Sequence, residues 1–75
     1  MSPKEKAKPS KIPAFTPRES EVLEYVVKGY EDGEIAEALG ITFYTAKDHV
    51  MSCRRKLKLR NRVQLAVWAV RNMGL

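Results

Sequence analysis

The sequence predicts an all-α fold, with four helices that follow a basic N-terminal arm. Beyond the arm, apolar residues recur three and four positions apart, which is the period of amphipathic helices. Residues that favour helix starts, namely Thr16, Thr42 and Asn61, stand just before three of these periodic segments. The chain has 75 residues, which allows one domain with a small core that is only marginally stable alone.

The arm covers residues 1–14, where four lysines and one glutamate are interrupted by Pro3, Pro9 and Pro13. Because this segment has little to bury, we expect it to be disordered and semi-extended. We expect it to be a linker, the remainder of a truncated longer protein, or a segment whose lysines attract DNA phosphates weakly. The folded domain then covers residues 15–75.

The first helix is predicted to begin after Thr16, a good N-cap. Pro17 suits the first helical position, and Glu19 completes a capping box. Gly29 ends the helix near Lys28. The apolar residues at helical spacing in this segment are Val22, Leu23, Val26, Val27 and Tyr30.

The second helix is predicted to be short. Asp32 and Glu34 favour its N-terminus electrostatically, whereas Gly33 is a poor residue inside a first turn, which leaves the start uncertain by a residue or two. Gly40 provides the turn that follows. The buried edge is expected to contain Ile35, Ala36 and Leu39.

The third helix is predicted to span about 43–58, after a Thr42 cap, and becomes more basic towards its end. Its apolar stripe consists of Ala46, Val50, Cys53 and Leu57. The opposite, exposed side consists of Tyr44, Lys47, Asp48, Met51, Arg55 and Lys58. Two helices joined by a tight turn form a helix-turn-helix unit, which places its second helix in the DNA major groove.

The charge distribution points to the same partner. The net charge is +5, but residues 15–46 carry seven acidic and two basic side chains, whereas residues 47–62 carry seven basic side chains and one aspartate. A polarised chain of this kind presents one face to a polyanion. The competing interpretation is that the charged stretches are merely solvated, and Arg54 and Lys56 are the residues to which it applies best.

The fourth helix is predicted over 62–73, with Asn61 as cap and Gln64 at the partner position. Its core stripe consists of Leu65, Ala66, Ala69 and Met73. A second stripe of valines either associates with another copy or packs against the first helix. Trp68 is either an interface anchor or packed on the domain's own surface. The valines of the second stripe are Val63, Val67 and Val70.

The composition argues against other classes of protein. Cys53 is the single cysteine and His49 the single histidine, so there is no internal disulfide, no zinc cluster and little for a nucleophile-base pair. We therefore expect no catalytic residues, no metal site and no cofactor. Because no apolar run has membrane-spanning length and no secretory signal opens the chain, we expect a cytoplasmic protein with no membrane partner. His49 is equally suited to a structural role and to a phosphate contact, and Glu19 and Arg62 are candidates for an ion pair.

The spacing of many of these residues resembles that of a known family. The spacing of the following positions resembles the LuxR/GerE/FixJ-type helix-turn-helix domain of bacterial transcription regulators over residues 15–75: Thr16-Pro17-Arg18-Glu19, Glu21-Val22-Leu23, Gly29, Glu34-Ile35-Ala36, Leu39, Ile41, Thr45, Lys47, His49-Val50, Lys56-Leu57, Asn61-Arg62 and Gly74-Leu75.

The resemblance implies a four-helix fold with the third helix in the major groove and the fourth forming a homodimer contact on an inverted repeat. The residues that it implies to face bases are Lys47, Asp48 and Met51. Those at the DNA backbone are Thr45, Lys47 and Arg55, with Thr42 and Tyr44 as further candidates. Lys58 joins this set because it adds a positive charge at the end of the helix, not because of the resemblance. Those at the dimer interface, on the helix 62–73, are Val63, Val67, Val70 and Arg71.

Several positions depart from the family pattern. Thr42 stands where many members have Ser, Ala46 where Val is usual, and Lys58 where a Gly is usual. Asp48 and Met51 replace uncharged or basic residues, so the DNA site cannot be copied from relatives. Asp48 is suited to accept from a cytosine amino group, and Met51 to contact a thymine methyl.

Two alternative functions compete with a nucleoid-associated bacterial or phage regulator. One is a module like the fourth region of a sigma factor, which works only with RNA polymerase, although the apolar fourth helix argues against it. The other is a protein-interaction module that uses the fourth helix to hold a partner. Since no receiver or ligand-binding domain precedes the helices, we expect either a small stand-alone regulator or the excised end of a larger one. The activity of a stand-alone regulator would be set by its concentration or by a partner such as RNA polymerase or another regulator.

Overall fold

Four helices account for the regular structure of residues 13–75, the part of the chain that the computed structural model describes. This confirms the all-α prediction, while residues 1–12 of the predicted arm lie outside the described part. Within residues 13–75, no helix is long and apolar enough to cross a membrane. The helices are α1 (Pro17–Val27), α2 (Asp32–Leu39), α3 (Phe43–Leu57) and α4 (Arg62–Met73).

The start of α1 is fixed by the predicted capping box. The Thr16 hydroxyl accepts from the Glu19 N–H at 3.1 Å, and the Glu19 carboxylate accepts from the Thr16 N–H at 3.0 Å. Two backbone donors that the helix itself cannot use are thereby paired. The start of α2, which the sequence left open, is fixed by Glu34, whose carboxylate accepts from the N–H of Glu31 at 2.7 Å.

The turn between α2 and α3 is tight. Gly40 ends α2 in the left-handed region at φ 68, a conformation that glycine adopts without steric cost. The Ile41 N–H then donates back to the carbonyl of Ala36 at 3.0 Å. Thr42 follows as the cap of α3, so the predicted helix-turn-helix unit is present.

The connection between α3 and α4 uses a residue other than glycine in a left-handed conformation. α3 ends at Leu57, one residue before the predicted end, because Lys58 adopts φ 57 and ψ 41. Asn61 caps α4 by accepting from the Gln64 N–H at 2.9 Å. The Gln64 side chain accepts from the Arg60 N–H at 2.7 Å, one residue earlier than a regular capping box requires.

The core lies where α1 packs against α3 and α4, while α2 packs mainly on α3. Both stripes predicted for α3 and α4 contribute to it, although Leu57, Ala66 and Met73 are only half-buried. The buried apolar residues are Val22, Leu23, Val26, Ile35, Ala36, Ala46, Val50, Cys53, Leu65 and Ala69.

Candidate nucleic-acid interface

The candidate interface is the outer side of α3, whose inner side fixes the helix to the core. Ala46, Val50 and Cys53 are at most 4% exposed. Because these residues recur at spacings of four and three, they occupy one side of the helix and leave the opposite side to solvent. The rotation of α3 about its axis is therefore set by burial.

The outer side carries the residues that the sequence predicts to face DNA. Lys47 and Asp48 are exposed, and Met51, one turn further on, is half-buried. The structure brings the three together on one helical face. The other exposed members of this side are Tyr44, Arg55 and Lys58.

Two threonine hydroxyls form a short chain at the start of α3. Thr42 Oγ1 accepts from the Thr45 N–H at 3.1 Å and donates to Thr45 Oγ1 at 2.9 Å. The Thr42 hydroxyl thus caps α3 and holds the exposed Thr45 side chain beside it. Both residues are among those predicted at the DNA backbone, and that prediction remains to be tested.

A buried carboxylate ties the back of α3 to α1. Glu19, only 5% exposed, accepts from the Lys56 ammonium at 2.6 Å and from the Ser52 hydroxyl at 2.7 Å. Burial by itself raises the pKa of Glu19, but the hydrogen bonds from Lys56, Thr16 and Ser52 outweigh it and lower the pKa from 4.5 to about 2. The carboxylate is thus ionised at neutral pH and holds α3 in position.

Lys56 also fastens the segment in front of α1. Its ammonium donates to the carbonyl of Ala14 at 3.0 Å and lies 5.5 Å from the centre of the Phe15 ring. Phe15 in turn meets Trp68 edge to face, with ring centres 5.9 Å apart. The interpretation of Lys56 as merely solvated is therefore wrong, and Trp68 packs on the domain's own surface.

The predicted ion pair between Glu19 and Arg62 is wrong, because each residue has another partner. Arg62 pairs with Asp32 at 2.7 Å and donates to the carbonyl of Tyr30 at 2.6 Å, which joins the start of α4 to the loop before α2. Arg54 likewise has a structural partner, since it donates to the carbonyl of Arg60.

The single cysteine is part of the core. Burial, together with the charge of Glu19, raises the pKa of the Cys53 thiol to about 12, and the thiol donates to the Glu19 carbonyl at 3.9 Å. A protonated, buried thiol is a poor nucleophile. His49 is half-buried beside this region, and among residues 13–75 no group of three or more His, Cys, Asp or Glu side chains is placed to hold a metal ion.

The outer side of α4 has a different chemistry. Val63, Val67 and Val70 are 71%, 44% and 49% exposed, and Arg71 beside them is exposed. The stripe lies outside the buried core, yet Val63 and Val67 line a groove together with Val26 and Val27 of α1. Packing against α1 and self-association therefore both stay predictions. Shallow grooves line it, one of them between Ala66, Val67, Val70 and Arg71.

A family model described as bacterial regulatory proteins, luxR family, matches residues 13–69. The chain belongs to this family. This confirms the resemblance drawn from the sequence, and the match begins at the segment that Lys56 fastens and ends inside α4.

Three curated relatives of this luxR-family domain are full response or transcriptional regulators. The chain is 43% identical to the nitrate/nitrite response regulator protein NarL of Escherichia coli over 54 residues, which is 72% of this chain and 25% of NarL. It is 44% identical to the transcriptional regulatory protein LnrK of Bacillus subtilis over 64 residues, 85% of this chain and 29% of LnrK. It is 42% identical to the response regulator protein VraR of Staphylococcus aureus over 55 residues, 73% of this chain and 26% of VraR. The chain therefore spans less than a third of the length of these relatives.

Sequence reasoning missed the polar network that supports α3. Ser52 and Lys56 stand four residues apart on α3, on the boundary between the buried and exposed sides, and both reach Glu19. The sequence shows two polar residues four apart beside an apolar stripe, and a glutamate that already belongs to a capping box. This pattern does not reveal the contact, because Ser52 and Lys56 lie 33 and 37 positions from Glu19 in the chain.

Proposed function

We propose that this domain binds duplex DNA sequence-specifically and regulates transcription, with α3 in the major groove. The observation that carries the proposal is the two-sided α3, which buries Ala46, Val50 and Cys53 while its outer side is exposed and mainly polar and basic. A major groove admits one α-helix, and a helix presented in this way is free to enter it. Such a regulator acts at the nucleoid, in the cytoplasm.

Phosphate contacts supply most of the affinity in this proposal. Lys47 and Arg55 are exposed cations on the outer side of α3, Lys58 is the exposed residue that caps its C-terminus, and the exposed Thr45 hydroxyl lies at its start. Neutralised phosphates release counterions, so binding weakens steeply as salt rises. Thr42 and Tyr44 complete the set of proposed backbone contacts.

Base contacts supply the sequence preference. Lys47 donates to acceptors on guanine, Asp48 accepts from the amino group of cytosine, and Met51 contacts a thymine methyl. Good base contacts contribute about 1–3 kcal/mol each to discrimination. An aspartate inside a basic face gains nothing from phosphate, so its place there favours a role in base recognition.

We further propose that two copies bind an inverted repeat through α4. The exposed apolar surface of Val63, Val67 and Val70 suits an interface between identical copies, and Arg71 lies at its rim. The same surface is open to RNA polymerase or another regulator as partner. A two-fold dimer and a two-fold DNA site match each other geometrically.

The test is an in vitro selection of the purified protein on random duplexes at near-physiological salt, followed by binding titrations. We expect an enriched inverted repeat, and a roughly hundredfold loss of affinity in the double variant Lys47→Ala/Arg55→Ala, from two lost contacts. The matched control is Arg18→Ala/Lys28→Ala, which removes the same charge from α1 and its C-cap. Specific binding that survives in the first variant, with folding intact by circular dichroism, contradicts the proposal.

A further inference from the structure

We infer that Phe43 and Tyr44 form an apolar base-reading pair that senses thymine methyl groups in the major groove. The inference rests on the proposed DNA binding and adds to it a specificity determinant. Neither ring belongs to the core or to the partly buried residues packed against it.

The rings of Phe43 and Tyr44 contact each other on the solvent-exposed surface. Phe43 is 48% and Tyr44 74% exposed, and their ring centres are 5.5 Å apart at an interplanar angle of 81°. Edge-to-face contacts of this kind are favourable and orient both rings. The pair is therefore a pre-arranged apolar surface rather than two independent side chains.

Its position selects the partner. Phe43 and Tyr44 are the first two residues of α3, and the N-terminal residues of a recognition helix are those that reach base edges. Tyr44 lies one turn before Asp48, on the polar and basic side of α3. Phe43 lies one turn before both Lys47 and the buried Ala46, so it extends that side at its edge. A surface with two aromatic rings followed by cations is complementary to a polyanion that also exposes an apolar group: the cations suit its negative charges and the rings suit the apolar group.

Duplex DNA offers one such group in the major groove, the C5-methyl of thymine, and aromatic side chains contact it. A phenylalanine ring has no hydrogen bond to offer a base, so the methyl group is the feature that it can recognise. Tyr44 adds a hydroxyl that reaches a phosphate or a base acceptor. We therefore expect one or two fixed thymines in each half-site of the selected DNA.

The experiment replaces the thymines of the selected duplex by deoxyuridine, one at a time. This removes the methyl and keeps the pairing. For the natural sequence we expect about a fourfold loss of affinity at each sensed thymine, the size that burial of one methyl group predicts. In Phe43→Ser or Tyr44→Ser, affinity for the thymine duplex falls and uracil at the corresponding position has no further effect.

Two controls keep the result interpretable. Tyr44→Phe retains the ring, so the response to uracil should persist. If the hydroxyl contacts a phosphate, its loss should weaken binding to all duplexes by the same factor. Thermal unfolding should be unchanged in both serine variants, because the side chains are exposed and serine suits a first helical turn.

The possible failures are distinguishable. If the natural sequence and the serine variants respond identically to every uracil while specific binding persists, the inference is overturned alone, and the pair faces a protein instead. If the selection enriches no sequence and binding is uniformly lost at high salt, the proposed sequence-specific function fails and the inference fails with it.

Discussion

The helices α3 and α4 share one architecture and differ in chemistry. Each buries a stripe at helical spacing and exposes the opposite side. The exposed side of α3 carries long cationic side chains such as Lys47 and Arg55, whereas that of α4 carries short branched ones such as Val63 and Val67. Burial therefore decides which way a helix faces, while the exposed residues decide which class of partner the helix is suited to bind.

The two helices are also attached differently. α3 is held by its apolar stripe together with the ionised carboxylate of Glu19. α4 is held by Leu65 and Ala69 in the core, with Arg62 anchoring its first turn to Asp32. Acid should therefore weaken the attachment of α3 to α1 through Glu19. Salt should weaken the proposed contacts of α3 with DNA more than the proposed contacts of α4 with a second copy.

Among these variants, Val67→Asp is expected to have the largest effect, and it tests the proposed interface on α4. A charge in the exposed stripe should prevent the apolar contact between two copies, because desolvating an unpaired carboxylate is costly. Binding to the inverted repeat should fall roughly hundredfold, which is the loss of linkage between two half-sites. Titrations on full and isolated half-sites by fluorescence anisotropy measure it.

The matched control for Val67→Asp is Gln64→Glu. It adds the same charge on the same helix and retains the acceptor for the Arg60 N–H, so it should bind the inverted repeat nearly as the natural sequence does. Equal losses on full and half-sites in Val67→Asp would mean that Val67 belongs to the core and that the two-surface comparison fails.

A smaller effect is expected from Glu19→Gln, which tests how α3 is attached. Because the folded-state pKa of Glu19 is lowered from 4.5 to about 2, its stabilisation is present above pH 4.5 and is lost as the pH falls towards 2. The full pKa shift corresponds to about 3 kcal/mol, and the variant should lose about 2 kcal/mol of unfolding free energy at pH 7, because the amide oxygen of glutamine still accepts a hydrogen bond. Urea denaturation at several pH values measures the difference.

The difference between Glu19→Gln and the natural sequence should shrink as the pH falls below 4.5, since the natural carboxyl then becomes protonated. Glu21→Gln is the control, because Glu21 pairs with Arg18 on the exposed surface of the same helix and should contribute little. A stability difference that stays constant from pH 7 down to about 3 would show that the charge of Glu19 is irrelevant.

The smallest effect is expected from Lys58→Gly, and its two readouts should move in opposite directions. Lys58 adopts φ 57, where glycine is unstrained, so the variant should gain about 0.5–1 kcal/mol of stability. DNA affinity should nevertheless fall, with the logarithmic salt slope reduced by about 0.9, the value for one lost phosphate contact.

Lys58→Asn separates the two effects of Lys58. Asparagine tolerates the left-handed conformation but carries no charge, so DNA binding should weaken as in the glycine variant. If neither variant changes the salt slope, Lys58 is not a phosphate contact and the basic side of α3 ends at Arg55.

The local features of the fold were predictable because they depend on neighbours in sequence. The Thr16 capping box, the Gly40 turn and the Thr42 cap each involve residues no more than four or five positions apart. The rotation of α3 was predictable for the same reason, since a helical period relates residues within two turns. The same period placed Val63 and Val67 on one stripe.

The polar contacts between helices were not predictable in this way. Glu19 could have reached Arg62 or Lys56, and spacing along the chain does not decide between cations that lie 43 and 37 positions away. The interhelical packing does, since it places Lys56 at the carboxylate and Arg62 at Asp32. Whether the valine stripe of α4 packed inward or stayed exposed was open for a similar reason.

By itself, the sequence determined the caps that begin α1, α3 and α4 and which side of α3 is polar, because capping and periodicity are local. Only the tertiary structure decided which charges meet, which apolar stripe remains outside and how Phe43 and Tyr44 are exposed as a pair. These depend on how α1 divides its surface between α3 and α4. Burial is a property of the packed helices together, and no single segment of the sequence contains it.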